Sequence, residues 1–409
     1  MKNTNRVKLA CYSMNVAMAV VGNLPPLLFI TFHNTYGFSY SLLGLLVLIN
    51  FSTQLGVDLI FTFFSHKFNI QKTVKTAPLL TILGFVIFAV WPSLFASSAY
   101  LGLVIGTVVF SASSGLAEVL LNPIIAALPS DNTESDLSKL HSAYAWGAVS
   151  VIVFSSLFLL IFGAHNWQWL IMIMLLVPLV SFVLYRSSKL PDVQESKGKG
   201  SVVGIFKTPA MWLGVLLICL GGALECIMAQ WCSGFCEVAI GIPKIWGDIF
   251  GAALFAIMLG LGRTLYAKYG KRIERVLILG VCGAFICYIV AVFSPSPIIG
   301  LIACALTGFA TSMLWPGNII AVSERIPNGG VLMYAMMAAG GDLGASLGPE
   351  LVGVVTDAVS SNSNFAYYAS QMGFSIDQMG MKCGLLIGAL VAFISIPIYL
   401  AVYKKRNNT

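Results

Sequence analysis

Glu118 and Asn122 stand one helical turn apart in a stretch, Tyr100 to Leu128, that holds no other charged side chain. An apolar run of this length crosses a bilayer as a helix. A charge at its centre costs about 3 kcal/mol or more, so it is expected to face a cavity and to be functional. A carboxylate enclosed by apolar surface tends to hold a proton, because desolvation penalises the charged form. The chemistry Glu118 offers is therefore proton uptake and release, with a hydrogen bond to a neighbouring helix as the structural alternative. Asn122 adds a donor and an acceptor on the same face, and Pro123 weakens the helical ladder near Val119.

Other apolar runs carry comparable residues. Glu225 and Asp342 are intramembrane acids without an evident basic partner in the sequence, and they join Glu118 as candidates for proton coupling. Asn23 precedes Pro25-Pro26, a pair that breaks the ladder and frees carbonyls for a cavity or a kink. Gln230 and Trp231 combine an amide with a flat ring, a pairing suited to sugar hydroxyls and C–H faces and also common in helix packing. Trp146 offers a stacking surface. Trp315-Pro-Gly-Asn318 supplies another ring and amide. Asn23, Asn122, Trp146, Gln230, Trp231, Trp315 and Asn318 are thus the expected solute-binding set. Asp58, one turn after Gln54, and Arg263 lie toward the cytoplasmic ends of their runs and are gating candidates; Asp58 is expected to pair with a basic loop residue. His141 reads as a capping or packing residue.

Cys232 and Cys236 are one turn apart, a spacing compatible with a metal site. No His is near and the other seven of the nine cysteines do not cluster with them in sequence, so they read as small packing residues. No metal and no cofactor are expected. The coupling ion expected is H+, with Na+ the open alternative.

The elements that must position these residues are membrane helices. The chain has 409 residues, 58% hydrophobic and 10% charged, where soluble domains carry roughly 25% charged residues. Apolar segments at 8–32, 39–64, 74–94, 98–128, 139–163, 166–186, 209–238, 246–268, 275–294, 297–322, 331–358 and 382–403 predict twelve transmembrane helices and an all-α membrane protein. Turn chemistry at Pro92-Ser93, Leu128-Pro129-Ser130-Asp131, Ser294-Pro295-Ser296-Pro297 and Ile326-Pro327-Asn328-Gly329-Gly330 marks several of the breaks. No signal peptide is expected, since the first apolar run is too long and lacks a cleavage site.

Of the 23 basic residues, all but Lys244 and Lys382 fall in cytoplasmic segments when the amino terminus is placed inside. The positive-inside rule then puts both termini in the cytoplasm of a cell-membrane protein. The net charge of +7 is scattered over short loops, which argues against a nucleic-acid partner. The polar connector near 187–208 divides the chain into a six-helix bundle, 1–188, a cytoplasmic linker, 189–208, and a second six-helix bundle, 209–409. Asn122-Pro-Ile-Ile-Ala126 and Gly317-Asn-Ile-Ile-Ala321 echo one another, as duplication of a six-helix unit would produce. The interior holds acids but no deep Lys or Arg. That balance suits protons, metal cations or neutral polar solutes and argues against anions, which need buried Arg.

These spans and the six-plus-six division resemble the major facilitator superfamily. Gly262-Arg-Thr-Leu-Tyr-Ala-Lys-Tyr-Gly-Lys-Arg272 is similar to that superfamily's basic loop motif, with Ala267 where Asp is usual. The equivalent loop after the second span, Ser65 to Lys72, has diverged. Glu118-x-x-x-Asn122-Pro123, and Leu140-His141 followed by Trp146-Gly147-Ala148, resemble the fourth and fifth spans of the fucose:proton symporter (fucose permease) family. That resemblance implies proton coupling and sugar binding at Glu118. An Asp used in the family's first span is replaced here, where the matching stretch reads Asn23-Leu-Pro-Pro26.

The expectation is a secondary active transporter, not an enzyme, acting as a monomer in the lipid bilayer. It would import a small neutral polar solute such as a sugar with protons, by alternating access. The alternative is a proton-coupled drug or cation efflux antiporter, for which the acids, the aromatics and the Gly348-Pro349 pair speak.

Overall fold

The structure, a computed structural model, describes residues 2–64, 67–129, 133–191, 208–326 and 330–404. Most of the expected linker, 189–208, lies outside them, as do parts of the breaks near 130 and 328. Among the described residues the regular elements are helices. They are α1 (Lys2–Leu27), α2 (Phe29–Tyr36), α3 (Tyr40–Phe64), α4 (Ile70–Leu94), α5 (Ala99–Ala126), α6 (Thr133–Phe162), α7 (Trp167–Met174) and α8 (Leu176–Arg186). A second series follows: α9 (Pro209–Val238), a π-helical segment (Gly247–Ala253) running into α10 (Leu254–Tyr269), α11 (Ile273–Phe293), α12 (Pro297–Thr311), α13 (Pro316–Arg325), α14 (Gly330–Ser360), α15 (Ser363–Gln371) and α16 (Ile376–Lys404).

Among the described residues, eleven helical segments have the length and composition to cross a membrane. α14 is a twelfth of sufficient length, and it carries Asp342, Glu350 and Asp357. Each expected span therefore has its helix. Three of them are interrupted, each beside proline. Pro25 and Pro26 end α1, and a turn at Leu28 separates it from α2. Pro178 cannot donate to the carbonyl of Met174, and the helix is broken between α7 and α8 there. Pro316 does the same to Ser312, and residues 312–315 form turns between α12 and α13. The short α15, with little of it buried, was not expected.

Contacts divide the chain into two compact units. The first comprises Met1–Tyr36 and Ile49–Lys197. Its core is apolar, with Val7, Met14, Leu120, Ile124 and Tyr185 fully or almost fully buried. Several polar groups inside it are paired. Asn15 donates to the carbonyl of Leu140 at 2.6 Å, tying α1 to α6. The hydroxyls of Thr81 and Ser113 lie 2.8 Å apart and tie α4 to α5. Lys8 on α1 forms an ion pair with buried Asp136 on α6. The end of α8 is held from outside itself: Arg6 donates to the carbonyl of Ser187 at 3.0 Å, Lys75 to that of Ser188 at 3.1 Å and Asn3 to that of Lys189 at 2.8 Å. These bonds anchor the chain just beyond Arg186, the last residue of α8, where cations also interact favourably with the negative end of the helix dipole.

The second unit comprises Gly37–Leu48 and Gly198–Thr409. α9 crosses α14 so closely that a Cβ on Gly344 would stand 1.8 Å from the carbonyl oxygen of Cys219. Only glycine permits that approach. Asn318 on α13 is fully buried; its amide donates to the carbonyl of Leu314 at 2.6 Å, to the hydroxyl of Tyr399 at 2.6 Å and to the carbonyl of Leu217 at 3.3 Å. It thereby joins α9, α13 and α16. The first turn of α3 is capped by Asp357 of α14, which accepts from the backbone N–H of Tyr40 at 2.9 Å and of Ser41 at 2.6 Å.

Candidate functional site: a carboxylate pair in the first unit

Glu118 does not stand alone. A carboxylate oxygen of Asp58 on α3 lies within 4.8 Å of one on Glu118 of α5. Two local features bring them together. On α3, Asn50, Gln54 and Asp58 recur every four residues and form one buried polar stripe. On α5, Gly115 lies one turn before Glu118, and a Cβ there would stand 3.0 Å from the Cβ of Val57 and 3.1 Å from the Cα of Gln54. The missing side chain lets the two helices touch where the stripe runs. Ser111, one turn earlier on α5, donates to the Asn50 side-chain carbonyl at 2.5 Å, and the Gln54 amide donates to the same oxygen at 3.1 Å. The stripe is thus hydrogen-bonded at one end and doubly acidic at the other. Leu116, Ala117 and Leu120, neighbours of Glu118 along α5, are buried.

Asn50 and Ser111 were missed by the sequence reading. The i, i+4 rule that joined Gln54 to Asp58 would have reached Asn50 by one more step. Asp58, expected to meet a basic loop residue, is placed by the structure beside Glu118, and it is 5% exposed. Two other first-unit candidates, Asn23 and Trp146, have different surroundings. Asn23 donates to the carbonyl of Ala19 in its own helix at 2.8 Å. Trp146 is 69% exposed, so its ring is not part of the unit's core. Asn122 lies on α5 and His141 on α6; the side chains of both fall outside the described residues.

In the second unit, two of the candidates pair with one another. The expectation that Glu225 lacks a basic partner is corrected, because Arg263 Nη2 lies 3.0 Å from each of its carboxylate oxygens, and Arg263 Nε donates to the carbonyl of Ser312 at 3.0 Å. The two residues lie in different spans, so their sequence separation gave no sign of the pair. It also corrects the view that no basic residue reaches inward. Lys382 too is buried, donating to the carbonyl of Val292 at 2.7 Å.

Trp231 is fully buried, its indole N–H bonded to the carbonyl of Pro349 at 2.8 Å, so neither ring face nor N–H is presented to a solute. Asn318 is likewise committed to the three helices it joins. Trp315 lies half-buried against Gly341 and Gly222, and Gln230 is buried. Asp342 is buried on α14, directly after Gly340-Gly341.

The family model of the Major Facilitator Superfamily matches residues 10–349. No curated protein sequence matches the chain. Solved structures match it over nearly its full length. A bacterial homologue of the human lysosomal transporter Spinster, inward-facing and occupied, has a TM-score of 0.73 at 14% identity, over 99% of this chain and 97% of that one. A D-xylose-proton symporter has a TM-score of 0.69 at 18% identity, over 97% and 98%. The E. coli fucose:proton symporter has a TM-score of 0.60 at 16% identity, over 96% and 97%. At these identities the likeness is one of fold.

Proposed function

The chain belongs to the major facilitator superfamily of transporters, and from that premise we propose that it imports a small neutral polar solute, a sugar foremost, together with protons by alternating access. The observation that carries this reading is the Asp58–Glu118 pair. Two unit charges at about 4.8 Å repel by about 3 to 4 kcal/mol at an effective dielectric constant near 20. Apolar surroundings add a desolvation penalty to each charge. The pair is therefore most stable holding at least one proton, and it titrates as a unit. Opening to one side or the other loads or releases that proton.

Neutrality of the solute is supported by the second unit, where Arg263 offsets the charge of Glu225 and leaves less positive charge for an anion. Two solved neighbours are named as proton symporters of sugars, which agrees with the reading. On the distribution of its basic residues we place both termini on the cytoplasmic side of the cell membrane, and we take the chain to act as a monomer.

Sugar added outside right-side-out proteoliposomes should alkalinise the external medium. Glu118→Gln should abolish that signal while leaving sugar counterflow. Asp58→Asn should do the same, and the double variant should be no worse than either single one, because the two act as one group. Coupled uptake unchanged in Glu118→Gln would overturn the reading. Dye extrusion driven by a pH gradient, with no sugar response, would establish the efflux antiporter instead.

A further inference from the structure

Cys232 and Cys236 on α9 and Cys304 on α12 are fully buried, and their three sulfur atoms all lie within 4.8 Å of one another. The sequence places Cys304 more than sixty residues from the other two, and only the fold assembles the trio. We propose that these three thiols form a binding site for one soft monovalent metal ion, Cu(I).

The geometry suits trigonal coordination. With metal–sulfur bonds of about 2.3 Å, the sulfurs of a planar three-coordinate site stand about 4.0 Å apart. The observed spacing needs only a small contraction. Ligand softness selects the ion: an all-sulfur set prefers Cu(I), whereas oxygen-seeking cations find nothing to bind. Zn(II) in a closed protein site takes four ligands, and the cluster supplies three. The site is also dry, which disfavours ions that retain water.

A second observation points to the same place. The π-helical segment, Gly247–Ala253, lies against the trio, and Gly251 would place a Cβ 3.0 Å from the sulfur of Cys232 and 3.1 Å from that of Cys236. A wide π turn is rare and recurs at functional sites. Here it leaves two sulfurs without a side chain pressed on them. The same turn carries Asp248, fully buried and paired with Lys244 at 3.4 Å. Lys244 is partly exposed, so one side of the turn beside the cluster reaches the surface of the unit. On binding, three metal–sulfur bonds form and the three S–H protons pass to solvent.

The test uses the full chain, purified in detergent without oxygen, and titrated with Cu(I) in competition with bicinchoninate. One Cu(I) per chain should be retained by the wild type and by Cys282→Ser, a cysteine outside the trio, and lost in Cys304→Ser. X-ray absorption of the loaded wild type should show sulfur alone in the first shell, at about 2.3 Å. That spectrum decides the matter even if Cys304→Ser fails to fold. Retention by Cys304→Ser, loss in Cys282→Ser, a nitrogen or oxygen shell, or no retention by the wild type would each overturn the proposal.

Discussion

At the scale of residues, Asp58 and Glu118 in one unit and Glu225 in the other are handled differently. In the first, Asp58 and Glu118 face each other. In the second, Glu225 is matched by Arg263. The matched pair should be asymmetric under mutation. Its arginine side chain is 41% exposed and its glutamate only 14%. Removing the arginine strands a largely enclosed carboxylate, while removing the charge of the glutamate leaves a guanidinium that water can reach. Arg263→Ala should therefore lower stability by about 1–3 kcal/mol, and Glu225→Gln by about half as much or less. Thermal unfolding in detergent of the two variants and the wild type measures the difference. Equal losses would mean that burial of Glu225 is not what holds the pair in place.

At the scale of elements, helix contacts convert isolated polar residues into a site. Glu118 was legible in the sequence because one charge in an apolar stretch is conspicuous. Its meeting with Asp58 was not, because it depends on α3 and α5 approaching at Gly115, and a glycine among apolar residues looks the same whether or not a helix crosses it. The break after Pro25-Pro26 was readable for the opposite reason: proline acts on its own helix. The π turn at Gly247–Ala253 has no residue signature and arises from packing, so the sulfur cluster under it was equally hidden.

Gly115 yields a sharp expectation. A Cβ at this position meets Val57 and Gln54 at 3.0–3.1 Å, so Gly115→Ala should cost about 1–3 kcal/mol. Gly115→Leu should force the helices apart and separate the two carboxylates. The variant should still insert, but proton movement should fall with Glu118 itself intact. Sugar-driven alkalinisation in proteoliposomes is the readout, and unchanged coupling in Gly115→Leu would show that the helix crossing does not set the acid pair.

At the scale of the whole molecule, the membrane makes the fold unusually readable. Backbone groups in lipid must bond within their own segment, so hydropathy alone found a helix for every expected span. α14 was readable in spite of its three carboxylates because its length and glycine-rich face remain. Solute-contacting groups were less legible. Trp231 and Asn318 have the chemistry of ligand contacts, but the same N–H groups also satisfy carbonyls between helices, and the fold uses them that way. Composition cannot separate those two uses. The topology can be checked directly. Epitope tags placed after Met1 and at Thr409 should both be shielded from antibody in intact cells and both become accessible on permeabilisation; one tag exposed in intact cells would refute the assigned orientation.

The hold on the end of α8 gives the basic residues of that topology a second meaning. In the proposed orientation, Arg6 and Lys75 would count as sorting signals while the chain is being inserted. In the finished protein the same two cations bond to the carbonyls of Ser187 and Ser188. In that orientation, a signal read once during biogenesis would be kept as a permanent fastening. Rearranging such charges to redirect insertion would therefore also unfasten a helix end, and a variant that threads correctly could still emerge with a frayed sixth span.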